Sequence, residues 1–328
     1  MKSILAAFLI SLSLIRCWSA EERSFRLTLR VVDESGRAVS GAEASVTYEN
    51  MDALERSNHF VTSRELSDDQ GCITARATMF LDRLTYGAKK VGYYESTGLK
   101  YHFSGFDDGR WLPWNPVIEI VLKHRANPIP MYAKNMELKL PEFDKAIGYD
   151  LVVGDWVVPY GAGERPDFVF EARRAVRSDR DYEGVLILRF PNPEDGLVPF
   201  DKPREDGSEL RLPYLAPQDG YVEERTWREE RRPAPDGHDI VRSDAVPTMN
   251  YYFRVRSVVD AEGKVVAAYY GKIHGDIRFF IGTQAPRSGL AFTYYLNPDG
   301  TRNVEFDPQR NLFQPAKPDD RAFWNLGP

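Results

Sequence analysis

Acid/base or metal chemistry would first be sought at the five histidines. None has a glutamate three residues on, and none opens an H-E-x-x-H run, so the pairs that hold a catalytic zinc are missing. A G-x-S-x-G elbow, a phosphate-cradling glycine loop and a C-x-x-C pair are absent too, and the sequence implies no cofactor and no metal. The histidine with the most suggestive neighbour is His274, in Gly271-Lys272-Ile273-His274-Gly275-Asp276. On a regular strand residues i and i+2 share a face, so Asp276 would orient the His274 ring for proton transfer. The same spacing equally describes a structural histidine, so it assigns no catalytic residue.

A second cluster of chemically suggestive residues is Gly105-Phe106-Asp107-Asp108-Gly109-Arg110-Trp111-Leu112-Pro113-Trp114-Asn115-Pro116. Indole faces stack on sugar rings and charged neighbours bond the hydroxyls, which makes Trp111, Trp114, Asp107, Asp108 and Arg110 candidate ligand-binding residues. Turned inward, the same indoles would cap a sandwich. Asp68-Asp69-Gln70-Gly71, Asp107-Asp108-Gly109 and Asp299-Gly300 have the composition of calcium loops without their ligand spacing, and Asp-Gly is first a turn signal. Glu305 and Asp307 alternate as on a solvated edge strand. With 49 acidic residues, spacing alone selects no carboxylate pair for a glycosidase.

Residues 1–19 read as an export signal. Lys2 precedes the apolar run Ile4–Ile15, which is too short to span a bilayer, and cleavage is expected after Ser19, with Cys17 at −3 and Ser19 at −1. Arg16 stands where a lipoprotein signal needs a small residue, which argues against lipid anchoring at Cys17. No later run suits a transmembrane segment, and a periplasmic, extracellular or cell-surface location is expected. Loss of Lys2 and Arg16 takes the 43 basic residues to 41 against 49 acidic, a net charge of −8. Without a basic face, no nucleic-acid partner is expected. Cys72 is then the single cysteine, so no internal disulfide contributes.

The elements that would carry these residues are strands. Phe25, Leu27, Leu29 and Val31 alternate with Arg26, Thr28 and Arg30, as on a strand with one buried face. Similar runs at 44–48, 58–66, 72–78, 84–91, 98–104 and 117–124 bring the total to seven and describe a small β-sandwich. Val32-Asp33-x-x-Gly36-x-x-Val39-x-Gly41-Ala42-x-x-x-Val46, Ser67-Asp68-x-x-Gly71 and Lys90-Val91-Gly92-Tyr93-Tyr94 resemble the carboxypeptidase regulatory-like domain. The resemblance covers about residues 24–124 and implies a transthyretin-like, prealbumin-type sandwich. It implies little about function. The Tyr-Arg-Gly-Ser tail of the transthyretin relatives that hydrolyse hydroxyisourate is absent, and a longer excursion is expected at 49–58.

Pro128 and Pro130 place a boundary near 125. Beyond it, runs at 151–158, 184–190, 251–256, 264–271, 276–281, 289–296 and 301–306 predict a larger antiparallel β-sandwich, jelly-roll or Ig-like, with long Pro-rich loops between 159 and 235. Glu224 and Arg228, at i,i+4, predict a short charged helix over 223–232 anchored by Trp227. The segments 127–132 and 303–308 are similar to stretches of uncharacterised exported bacterial proteins. The expected organisation is a signal peptide (1–19), a first sandwich (20–125), a second (126–313) and a loosely held tail (314–328). The expected function is non-catalytic: binding or cell-surface structure, with a glycan or another surface protein as partner. Glycan contact through Trp111 and Trp114 is its narrower form. The alternative is a hydrolase of polysaccharide or peptide with its site in the second sandwich.

Overall fold

The computed structural model describes residues 23–50, 60–202, 207–281, 288–315 and 320–328. The expected signal, Cys17 included, and most of the expected excursion lie outside them. Among the described residues the fold is all β, with 3-10 geometry at Arg321–Phe323.

The first unit contains β1 (Ser24–Asp33), β2 (Glu43–Glu49), β3 (Phe60–Leu66), β4 (Cys72–Thr78), β5 (Arg83–Lys89), β6 (Tyr93–Tyr94), β7 (Ser96–His102), β8 (Gly105–Asp107), β9 (Arg110–Leu112) and β10 (Val117–His124). The longer strands are those that period-two alternation marks; β6, β8 and β9 are short additions. One sheet runs β6-β10-β1-β9-β8 with β4 also on β1, and the other runs β3-β2-β5-β7. β1 pairs in parallel with β10 and antiparallel with β4. Phe25, Leu27, Leu29 and Val31 meet Ala44, Val46, Ile120 and Leu122 in one buried core. Gly71 answers its sequence signal directly: it has φ +75°, and a Cβ there would stand 2.3 Å from the Val31 carbonyl oxygen.

The second unit contains β11 (Ile129–Lys139), β12 (Ala146–Asp150), β13 (Asp155–Trp156), β14 (Phe168–Ser178), β15 (Asp181–Arg189), β16 (Gly196–Asp201), β17 (Glu224–Pro233), β18 (Asp239–Ser243), β19 (Met249–Val259), β20 (Val265–Phe280), β21 (Gly289–Asn297) and β22 (Phe306–Asn311). Its sheets are β16-β19-β20-β21-β11-β22 and β13-β12-β14-β15-β17-β18. Between them lies an aromatic core that includes Tyr149, Trp156, Phe168, Phe170, Trp227, Phe253 and Phe292. The outer face of the first of these sheets, with Tyr252, Tyr270, Tyr295 and Phe306, is covered in turn by Leu212, Ala216 and Val304.

Three expectations are corrected. The charged stretch at 223–232 is strand β17, not a helix. Its charges find partners across the sheet, Glu224 on Arg189 at 2.7 Å and Arg232 on Glu183 at 3.3 Å, while Trp227 turns into the core. Glu305 does not lie on a solvated edge; it is 1% exposed and sits just before β22. Its carboxylate accepts from Tyr94 Oη and from the backbone N–H groups of Ala126 and Asn127, joining the first unit and the link to the second. In the described part of the tail, Phe323 meets Phe313 at 6.4 Å and Leu326 lies against the outer-face cluster, while Gln314, Pro315, Trp324 and Asn325 are exposed. The Pro-rich stretch is also less loop than expected, since β14 to β17 run through it.

Candidate functional site

Strand β20 carries the expected histidine–carboxylate pair but does not bring the two groups together. The ladder joins His274 to Thr293 and Arg278 to Ala291, so Gly275, Asp276 and Ile277 intervene on β20 against Phe292 alone on β21. This is a bulge, and Gly275 makes it possible at φ +79°, with its N–H held by Asn250 Oδ1 at 3.0 Å. Simple alternation is lost there. Asp276 turns toward the inter-sheet core, where it accepts from Trp227 Nε1 and Tyr251 Oη, both at 2.7 Å, and from the Val246 N–H at 2.7 Å. His274 turns to the other face, with its ring 4.5 Å from that of Tyr295. The pleat argument that paired them fails for this physical reason, and Asp276 acts as the anchor of the 244–248 segment.

The His274 side has its own chemistry. The ring is buried and Nε2 has no hydrogen-bond partner. Burial, followed by the charges of Lys272, Arg211 and Lys202, pushes its pKa well below the ordinary histidine value. Lys272, two residues back, is wholly buried with Nζ unpartnered and 5.0 Å from the Tyr295 ring centre. Burial brings its pKa down to about 7. A groove of about 430 Å³ opens beside His274, lined also by Asn135, Val246, Pro247, Arg278 and Thr293. Sequence reasoning missed Lys272, Tyr295 and Arg278. The one available signal was a lysine set between Gly271 and Ile273 in an otherwise apolar run.

The tryptophan loop divides. Asp107-Asp108-Gly109-Arg110 is a tight hairpin in which Asp108 and Gly109 take φ of 44° and 73°, so Asp108 serves the turn. Trp111 stands on β9 opposite Phe106 and turns inward. It is 8% exposed and packs at 5.3 Å on Phe106 and 6.4 Å on Phe103. Trp114, beyond the strand end, is 40% exposed, with the Arg110 guanidinium 5.2 Å from its ring centre. Asp107 and Asp108 are exposed in the hairpin that carries Arg110. The calcium-like loops close on themselves: Asp68 Oδ1 accepts from the N–H groups of Gln70 and Cys72, and Asp299 Oδ1 from Asn297 Nδ2 and the Thr301 N–H. No cluster of three or more potential metal ligands occurs among the described residues. Nor is any helix among them long and apolar enough to cross a membrane.

No protein-family model matches this chain, and no curated protein does. Among solved structures it is similar to catechol 1,2-dioxygenase from Acinetobacter radioresistens, at 14% identity and a TM-score of 0.27 over 33% of this chain and 54% of that one. A DUF3823 family protein from Parabacteroides merdae aligns at 10% identity and a TM-score of 0.20, over 87% of this chain and 100% of that one. A shaft pilin from Lactobacillus rhamnosus GG aligns at 10% identity and a TM-score of 0.23, over 75% and 92%. The chain spans about half the length of the dioxygenase it matches.

Proposed function

We propose that this chain is exported and acts without catalysis, in binding or surface architecture, and that Trp114 with Arg110 makes its contact with a glycan. The observation that carries the non-catalytic reading is the splitting of His274 from Asp276. The carboxylate is spent on Trp227, Tyr251 and Val246, so it neither orients the imidazole nor stands free as an acid or base. Trp111 roots the β8–β9 hairpin in the core, and Trp114 follows it as a half-exposed aromatic beside the Arg110 cation, with two exposed carboxylates in the hairpin turn. Such a corner offers apolar area for a sugar ring and charges for its hydroxyls.

The test is titration of residues 20–328 with soluble polysaccharides, followed by tryptophan fluorescence, for the wild type and Trp114→Ala. The reading expects saturable binding that weakens at least tenfold in the variant, with no new reducing ends. Released reducing ends would replace it with the hydrolase alternative, and binding untouched by Trp114→Ala would remove Trp114 from the contact.

A further inference from the structure

We propose that the groove above the Gly275 bulge is a separate binding site, built for a small hydroxylated carboxylate of the uronic-acid type. It lies on the second sandwich and does not rest on the Trp114 contact. Its volume, about 430 Å³, falls within the range of about 300–1,000 Å³ typical of small-ligand pockets.

The charge-recognising element is Arg278. On the facing sheet and its β14–β15 turn, Arg173, Arg177, Arg180, Arg189, Arg231 and Arg232 each hold a carboxylate, whereas Arg225, Arg228 and Arg242 show no ion pair among the described residues; what sets Arg278 apart is its place on the groove with His274. Arg278, exposed at the rim, makes no ion pair among the described residues. A planar guanidinium fork matches a carboxylate through two parallel hydrogen bonds, which a hydroxyl alone does not provide.

The second element is His274. Its ring lines the groove at 8% exposure, and Nε2 is left without a partner. Nε2 is closed to solvent in this state, so a ligand in the groove completes it only with a turn of the ring. The third is the pair Asn135 and Thr293, in which Thr293 Oγ1 donates to Asn135 Oδ1 at 3.2 Å; the Asn135 amide nitrogen and the Thr293 lone pairs then serve ligand hydroxyls. Val246 and Pro247 supply an apolar wall. Asp276 also lines the groove, but its oxygens are already engaged by Trp227, Tyr251, Val246 and Ile277, so Arg278 is left as the charged group free to take a ligand.

The experiment titrates residues 20–328 with D-glucuronate and, separately, D-glucose, by heteronuclear NMR of the imidazole nitrogens. His274→Gln assigns the His274 signal. Glucuronate is expected to shift that signal saturably, with glucose at least tenfold weaker. Arg278→Ala, at an exposed position, is expected to weaken glucuronate at least tenfold, whereas the exposed Arg242→Ala leaves it unchanged. Absence of glucuronate binding, equal binding of glucose, or indifference to Arg278→Ala would each overturn the proposal. The His274 signal does not report on binding at Trp114, whose polysaccharide test stands or falls separately.

Discussion

Lys272 lies between Tyr252 and Tyr295 in the register of β19, β20 and β21, fully buried with an unpartnered Nζ. Burial first, and then Arg211, lower its pKa to about 7, while Glu305 acts in the opposite sense. The unfolded chain, with its lysine near 10.5, therefore binds more protons between these two values. Stability contributed at this site falls as pH drops from about 10.5 to about 7, and is level below. Lys272→Met should raise stability at pH 7 by about 1–4 kcal/mol in urea denaturation and flatten that dependence; an unchanged profile would contradict the burial argument. His274 has the same sign in a lower window. Its folded pKa is far below 6.5, so stability falls as pH drops under 6.5, and His274→Gln should bring the melting temperatures at pH 7 and pH 5 closer together. The two indoles separate by burial. Trp111→Ala should cost about 3–5 kcal/mol, and Trp114→Ala no more than about 0.5 kcal/mol.

At the scale of elements, the Gly275 bulge decides which groups meet. Gly275 has φ +79° and open space where a Cβ would go, so Gly275→Ala meets backbone strain alone. It should cost about 1–2 kcal/mol, read by urea denaturation, and shift the amide signals of Arg278 and Val246. A change confined to Gly275 itself would mean that the bulge does not position them. Strand existence was legible because Phe25, Leu27, Leu29 and Val31 alternate cleanly with polar residues. The sequence points to a helix at β17 because its mixed Arg and Glu leave opposite charges at i,i+4, as at Glu224 and Arg228, which a helix and a strand satisfy in different ways. The bulge was illegible because glycine followed by aspartate reads as an ordinary turn. Trp111 and Trp114 look alike in sequence, and only the end of β9 between them sends one inward and the other out.

At the scale of the whole molecule, contacts between residues far apart in sequence hold the units together. The segment at 207–209 adds to the first sandwich, with Thr97 N–H on the Gly207 carbonyl and Glu209 N–H on the Glu95 carbonyl, both at 2.9 Å. Glu305 gathers Tyr94, Ala126 and Asn127 over the link. Glu305→Gln weakens those acceptor contacts and should split a single calorimetric transition into two, with faster proteolysis near Arg125; one unchanged transition would show that the units are joined by other means. Within the second sandwich, Arg256 holds Asp167 at 2.7 Å and Asp150 at 3.1 Å, both carboxylates being buried. Arg256→Met would strand two buried charges and should cost about 3–5 kcal/mol. Neither network could be read from sequence, since Glu305, Tyr94, Arg256 and Asp150 stand in unrelated stretches and take their roles only through the fold.

The most direct measurement of the central claim is co-sedimentation of residues 20–328 with insoluble polysaccharides, assaying the supernatant for reducing ends and peptide fragments. The account predicts that wild-type protein pellets with at least one polysaccharide, that Trp114→Ala stays in solution with its fold intact by circular dichroism, and that nothing is released. Release of product, or pelleting that survives Trp114→Ala, would contradict it.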